Sequence, residues 1–295
     1  MAEEQLGVIK LSIGVMILVI VVVLTLYVFV LLKFRRRKGD NSIPKQVEGN
    51  HILEVAWTVI PIVLLLIIAV PTIYYTFKHS QDYRNDPDAL LVKVTAHQYW
   101  WEFEYPTYGL GTAQDLVIPV GKKVAFEVVS ADVNHSFWVP VLGGKIDAIA
   151  SQTNIWHYQA DVPGVYAGKC LELCGPDHAL MDFKVVALPE AEFEDWVEQM
   201  TAPATVSADV AEGEQLFKDN CLTCHAITPN GKSLGPNLNG FANRQRIAGF
   251  LQHTTENLKD WITDPQSFKE DTKMPAFAFD ENEMDELVKY LESLK

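Results

Sequence analysis

Two long apolar runs near the N-terminus constrain this chain more than any other feature. Leu11 to Leu32 is almost unbroken, and Ile52 to Phe77 is a second run that contains Pro61 and Pro71. Each exceeds the roughly 20 residues that cross the hydrocarbon of a bilayer. The pair predicts a transmembrane hairpin with spans at about 8–32 and 52–77. A cleaved signal peptide explains the first run less well, because its apolar stretch is too long and no small-residue cleavage site follows. Lys33, Arg35, Arg36, Arg37 and Lys38 directly follow the first span, and such a basic cluster stays on the cytoplasmic side. Both termini then face outward, and the chain beyond about Phe77 lies on the outer face of a bacterial cytoplasmic membrane.

The 295 residues leave room after the hairpin (1–80) for two modest domains. Alternating or β-branched runs at Leu90–Ala96, Tyr99–Tyr105, Lys123–Ser130, Ile155–Gln159 and Phe183–Leu188 are separated by turn residues such as Pro119–Gly121, Gly143–Gly144 and Pro163–Gly164. That is the pattern of a small antiparallel sandwich or barrel over 81–189. A helix from Glu190 to Met200 and an aperiodic Thr201–Ser207 linker fill 190–207. The segment 208–295 is helical: Leu216 and Phe217 share one helix, and Met284, Leu287, Val288, Leu291 and Leu294 form an apolar stripe on another. The net charge of −14 argues against nucleic acid as a partner. An acidic surface suits steering of basic proteins, and equally plain solubility.

The four cysteines come as two local pairs. Cys221-Leu-Thr-Cys224-His225 is the attachment signature of c-type haem: the thiols bond the vinyl groups and the His supplies an axial nitrogen. Half of a zinc ribbon is the competing reading, and no second Cys-x-x-Cys completes it. Met274, followed by Pro275 in a polar loop, is the best sixth ligand. Met284 falls on the apolar stripe, and His253 is the runner-up. In cytochromes c a Pro carbonyl accepts the hydrogen bond of the axial His, and Pro236 of Gly235-Pro236-Asn237-Leu238 stands where that carbonyl would be. Ala208–Lys295 resembles class I cytochromes c.

The other pair lies in Cys170-Leu-Glu-Leu-Cys174-Gly-Pro-Asp-His178-Ala-Leu-Met181, with Asn134-His135-Ser136 upstream. Two thiolates, two imidazoles and a thioether select copper over magnesium or calcium. Two cysteines in one loop can bridge two copper ions, each with one His and one weak axial ligand. A Cys170–Cys174 disulfide would explain the sulfurs but not His135, His178 and Met181.

With these residues, nearly the whole chain resembles cytochrome c oxidase subunit II of the bacterial caa type, in which a cytochrome c domain follows the copper domain. The resemblance implies a cupredoxin barrel on a two-helix anchor. It places dinuclear CuA on His135, Cys170, Cys174, His178 and Met181, with Glu172 binding through its backbone carbonyl. The Glu172 side chain would also reach a magnesium ion shared with subunit I. His97 to Tyr105, including Tyr99, Trp100 and Trp101, resembles the family's aromatic electron-input segment. The commonest pattern has Trp where this chain has Tyr99, which favours delivery from the tethered haem. Trp100 and Trp101 also suit a membrane-interface belt. Glu54 matches the residue at the mouth of a proton path into subunit I, and is otherwise an interfacial carboxylate near a helix start.

The implied function is electron input to a haem-copper terminal oxidase. Electrons pass from cytochrome c or a cytochrome bc complex to haem c, CuA and the haem of subunit I, where dioxygen is reduced with proton pumping. Subunit I, with haem a and copper, subunit III, other small subunits and the lipid bilayer are the implied partners. An alternative is the copper subunit of a nitric oxide reductase. A membrane copper chaperone would carry no haem, and quinol-oxidase relatives have lost the copper ligands present here.

Overall fold

The structure is a computed structural model that describes residues 1–39, 43, 45–202 and 208–295. Of the expected linker, residues 203–207 lie outside the described residues.

The N-terminal unit, 2–80, is a pair of helices, α1 (Ala2–Phe34) and α2 (His51–His79). They run antiparallel, since Glu4 near the start of α1 pairs with Lys78 and His79 at the end of α2. Both outlast the apolar runs. Glu3 and Glu4 complement the positive end of α1, and the Asn50 side chain caps α2 by accepting from the amides of Ile52 and Leu53 at 3.0 and 3.2 Å. Neither helix buries a residue within the chain. Two helices so long, apolar and uncovered suit lipid, where every backbone group must be satisfied within the helix. Pro61 and Pro71 sit inside α2 without ending it.

The second unit begins at Gln81. Its first part is two five-stranded sheets. One orders β3 (Leu110–Ala113), β2 (Trp100–Tyr105), β1 (Leu90–His97), β5 (Lys123–Ser130) and β8 (Asn154–Gln159). The other orders β4 (Asp115–Pro119), β10 (Asp182–Leu188), β9 (Gly164–Cys170), β6 (His135–Trp138) and β7 (Ile146–Ala148). The all-antiparallel expectation needs correction: β1 with β5 and β4 with β10 are parallel, the remaining pairs antiparallel. Alternation along β1 and β2 turns Val92, Val94, Trp101 and Phe103 inward. Trp101 and Phe103 meet Phe137 and Phe183, with ring centroids 5.3–6.4 Å apart, and Phe126 packs on Phe137 at 5.2 Å. Each such ring buries on the order of 150–250 Å², so aromatics dominate this core. Tyr105 stitches the sheets together: its hydroxyl donates to the Val117 carbonyl and accepts from the Val117 amide, both at 2.9 Å.

α3 (Glu190–Thr201) leads out of the barrel, one residue longer than the sequence pattern predicts. Beyond it, α4 (Ala211–Asn220), α5 (Thr255–Thr263) and α6 (Glu281–Leu291) gather around Phe217, Leu258, Leu287, Val288, Tyr290 and Leu291. A two-residue ribbon, β11 (Arg246–Ile247) with β12 (Leu251–Gln252), stands between them. The start of α6 is fixed by a capping box, in which Asp280 accepts from the Glu283 amide at 2.9 Å and Glu283 accepts from the Asp280 amide at 3.0 Å. Met284 belongs to this core. The helical module packs on the barrel: the Gln245 amide donates to Asp115 Oδ2 at 2.8 Å, Asn239 Nδ2 to the Met200 carbonyl at 2.8 Å, and Lys232 pairs with Glu104 at 3.0 Å.

Candidate metal and haem centres

One turn between neighbouring strands collects most of the first centre. β9 ends at Cys170, the chain turns through Glu172 and Cys174, a short 3-10 helix (Pro176–Leu180) carries His178, and Met181 precedes β10. β6, on the other side of β9, begins at His135, and pairing of Phe137 with Cys170 brings it to the same end of the sheet. The Leu171 amide donates to the Ser136 carbonyl, and the Cys170 amide to the Met181 carbonyl, each at 3.1 Å. Gly175 lies at φ 138°, and a Cβ there would come within 2.2 Å of the Tyr99 hydroxyl, so the turn depends on glycine.

The side chains converge. Cys170 Sγ lies 3.9 Å from Cys174 Sγ, 3.8 Å from His135 Nδ1 and 3.3 Å from the Glu172 carbonyl oxygen. Cys174 Sγ lies 3.6 Å from His178 Nδ1 and 3.8 Å from Met181 Sδ. A disulfide needs sulfurs about 2.05 Å apart, so the geometry is that of two separate thiols. His135, Cys170 and Cys174 alone form a cluster able to hold a metal. The set fits copper: soft sulfurs at the centre, one imidazole beside each, and two weak donors outside.

Asp132 orients the buried imidazole, accepting from His135 Nε2 at 2.8 Å, which leaves Nδ1 facing the sulfurs. Burial pulls the His135 pKa down, but its bonds to Cys170 and Asp132 outweigh that and raise it above the ordinary value. Burial also opposes ionisation of Asp132, yet bonds from His135 and the amides of Gln98 and Val133 hold it below the usual carboxylate range. Contact between the two thiols separates their acidities: it pulls the Cys170 pKa down and pushes that of Cys174 up.

Of the aromatic segment, Trp101 is fully buried, 6.2 Å from the His135 ring, and donates to the Met181 carbonyl at 3.4 Å. Burial removes the membrane-belt reading for Trp101. Trp100 stacks on His97 at 4.1 Å. Tyr99 is buried beneath the helical module, its hydroxyl donating to Asp271 Oδ2 at 2.7 Å. Glu54 lies in the exposed first turn of α2.

At the second centre, His225 Nδ1 donates to the Pro236 carbonyl at 2.7 Å, leaving Nε2 as the nitrogen with a free lone pair. Burial lowers the His225 pKa, against the Pro236 bond, so the ring is held neutral as ligation requires. Cys221 and Cys224 are free thiols, and burial pushes Cys221 up to about 11. A Cβ on Gly235 would come 2.9 Å from the His225 ring. A surface concavity lined by Leu222, Ile227, Lys232 and Leu234 adjoins this segment, and its exposed leucines suit an apolar macrocycle. Met274 is half-buried against the helical core. His253 is occupied elsewhere, with Nδ1 2.9 Å from the Arg244 carbonyl and its ring on Phe241.

Several groups that shape these centres carry no local sequence signal. Gln98, Asp177 and Lys269 reveal their roles only when distant segments meet, whereas Asp132 lies three residues before His135.

Three family models match the chain: cytochrome c oxidase subunit II, transmembrane domain, over residues 2–74; its periplasmic domain over 109–188; and cytochrome c over 210–295. Cytochrome c oxidase subunit 2 of Alkalihalophilus pseudofirmus is 50% identical over 295 residues, spanning 97% of this chain and 85% of the relative. The subunit 2 of Bacillus sp. strain PS3 is 50% identical over 317 residues, covering 100% and 89%. That of Bacillus subtilis is 42% identical over 318 residues, covering 100% and 89%.

Proposed function

The chain belongs to the cytochrome c oxidase subunit II family, and from that premise we propose how its residues serve electron input. It is a subunit of a haem-copper oxidase with a fused cytochrome c, and its cofactors are CuA and haem c. When bound, these groups accept and release one electron at a time.

Cys170 and Cys174 would hold a pair of ions through their Sγ atoms, His135 and His178 would bind through Nδ1, and Met181 Sδ and the Glu172 carbonyl would serve as weaker donors. Asp132 fixes the His135 tautomer, and Trp101 seals the site from beneath. Burial of these groups holds the donor set in one geometry, which suits a centre that must change charge with little rearrangement. Cys221 and Cys224 would tether the haem, His225 would hold its iron with Pro236 fixing that ring, and Met274 would supply a thioether, a ligand that favours a high potential. The observation that carries the reading is the meeting of five side-chain donors from two strands and one turn, with the sulfurs 3.9 Å apart.

Electrons from a cytochrome c or cytochrome bc donor enter at the cytochrome module, and the cupredoxin module passes them to subunit I, which reduces dioxygen. Leu171 and Leu173, exposed on the ligand turn, offer an apolar contact to that partner. The exposed Glu172 carboxylate would join a magnesium ion there, Glu54 would stand at the mouth of a proton path, and subunit III and smaller subunits would complete the complex. The basic cluster after α1 would keep that loop in the cytoplasm, with both termini outside. Nothing favours a nitric oxide reductase.

The test is metal content of the purified subunit. Two coppers per covalent haem, with a hyperfine pattern from one electron shared by two copper nuclei, are expected. One copper or none would remove the dinuclear centre.

A further inference from the structure

Where the helical module meets the ligand turn, three buried polar side chains are satisfied across the seam. Asp177, 5% exposed and one residue before His178, accepts from the amides of Glu270 and Asp271 at 3.0 and 2.9 Å, one on each carboxylate oxygen. Tyr99, 3% exposed, donates from its hydroxyl to Asp271 Oδ2 at 2.7 Å. Lys269, 3% exposed, crosses the other way and donates from Nζ to the Tyr99 carbonyl at 3.0 Å and to the Ala248 carbonyl of its own module at 2.9 Å. On the barrel side the same group is tied to the ligand turn, because Gln98 Nε2 donates to the Cys174 carbonyl at 2.6 Å.

We propose that Asp177, Tyr99 and Lys269 form a latch that holds the Lys269–Asp271 segment of the cytochrome module on the copper-ligand turn. The two modules thereby work as one fixed pair, and the surface over Tyr99 is closed to a soluble donor. These are positioning residues; the inference deepens the electron-input reading and rests on it.

Three features favour a latch over incidental packing. The first is its place. Asp177 neighbours His178, and Lys269–Asp271 lie just before Met274, so the bonds join the two ligand-bearing segments. The second is desolvation. A buried carboxylate or ammonium stripped of its partner costs more than an ordinary lost hydrogen bond, so partial opening is disfavoured and the seam is either closed or fully parted. The third is close approach at its edge: a Cβ on Gly249 would come 2.6 Å from the Asp182 carbonyl oxygen. Because transfer between two centres depends steeply on their separation and orientation, a clamp beside the ligands fixes the quantity that matters. It also makes transfer independent of the ionic strength that governs encounters between charged surfaces.

The test uses the purified holo-oxidase in two measurements. Flash photoreduction of the haem with a soluble ruthenium photosensitiser gives the rate of electron appearance at the copper centre across a range of salt. Amide hydrogen exchange of residues 268–274 reports the seam without reference to activity. In the unaltered oxidase the rate should be flat with salt and the Glu270 and Asp271 amides protected. Asp177→Asn, which sets an amide against those two donors, and Tyr99→Phe should each slow transfer by about tenfold or more, make it salt-dependent and release the protected amides. Asp271→Ala removes the acceptor of the Tyr99 hydroxyl from the cytochrome side while leaving every residue of the copper-ligand turn in place; it should slow transfer and make it salt-dependent too, and copper content measured in each variant separates loss of the latch from failure of loading. Unchanged rates, salt response and exchange in all three variants would overturn the latch, as would salt-dependent transfer in the unaltered oxidase, while leaving the electron-input reading intact. No transfer from haem to copper in the unaltered oxidase would overturn that reading, and the latch with it.

Discussion

At His135 the two ring nitrogens have separate tasks, and the residue that divides them is Asp132. Nε2 is committed to this carboxylate at 2.8 Å, so Nδ1 is left toward the Cys170 sulfur. Asp132→Asn keeps the shape but loses the charge and the certainty of the acceptor. Copper affinity should fall by about 10- to 100-fold, as for other groups that orient a metal-bound His, measured by competition with a chelator. An unchanged affinity would mean that His135 is oriented by packing alone. The paired thiols give a second prediction. Contact with Cys170 raises the Cys174 pKa, so Cys174 is protonated in the metal-free protein near neutral pH. Copper must displace that proton, and apparent affinity should therefore rise with pH through neutrality, by about tenfold per unit for one proton released. A flat titration would show that both thiols are already ionised. The ligands were legible because few residue types bind copper and most of them crowd into Cys170–Met181. Asp132, three residues before His135, had a spacing that could have been noticed. Asp177 and Lys269 had none, since each acquires its partner from the other module.

Strands and helices announced themselves to the extent that their burial was periodic. β1, β2 and β5 alternate or are β-branched, and the sequence runs for them end within a residue of the observed strands. β4 is buried on both faces throughout Asp115–Pro119 and shows no alternation, and β6 and β7 are too short to show a period. The parallel pairings of β1 with β5 and β4 with β10 depend on chain crossing between sheets, which no local pattern encodes. Among helices, the stripe of α6 was plain, whereas what it packs against was hidden in a glycine. A Cβ on Gly213 of α4 would come 2.0 Å from the Glu286 carbonyl oxygen and 2.8 Å from Tyr290 Cβ. The obstacle is backbone, which cannot swing aside as a side chain tip does. Gly213→Ala gains helix propensity of roughly 1 kcal/mol, but must force α4 and α6 apart through a close-packed core, at about 1–3 kcal/mol or more. The net effect should be a lower thermal midpoint of the cytochrome module, followed by its haem absorbance. A higher midpoint would show that the crossing is looser than the structure has it.

On the scale of the whole molecule, the arrangement follows from where charge can go. α1 and α2 expose apolar side chains along their length, so lipid is their solvent, while an acidic chain of net −14 keeps the redox domains soluble. The end of α1 and the residues after it carry Lys33, Arg35, Arg36, Arg37 and Lys38, whereas the start of α1 has Glu3, Glu4 and a single Lys10. Short flanking loops rich in Lys and Arg resist translocation, and acidic residues count for little. That asymmetry predicts a cytoplasmic turn and outward redox domains. Cysteines placed at Lys38→Cys and at the exposed Thr107→Cys test it with a membrane-impermeant maleimide. In intact spheroplasts Thr107→Cys should be labelled and Lys38→Cys should not, and lysis should make both reactive. The native cysteines need no removal if labelling is compared with the unaltered chain. Replacing the five basic residues by Gln should then give a mixed population, in which some chains expose position 38 outside. The reverse labelling pattern in the unaltered background would place the cytochrome on the inner face and overturn the topology.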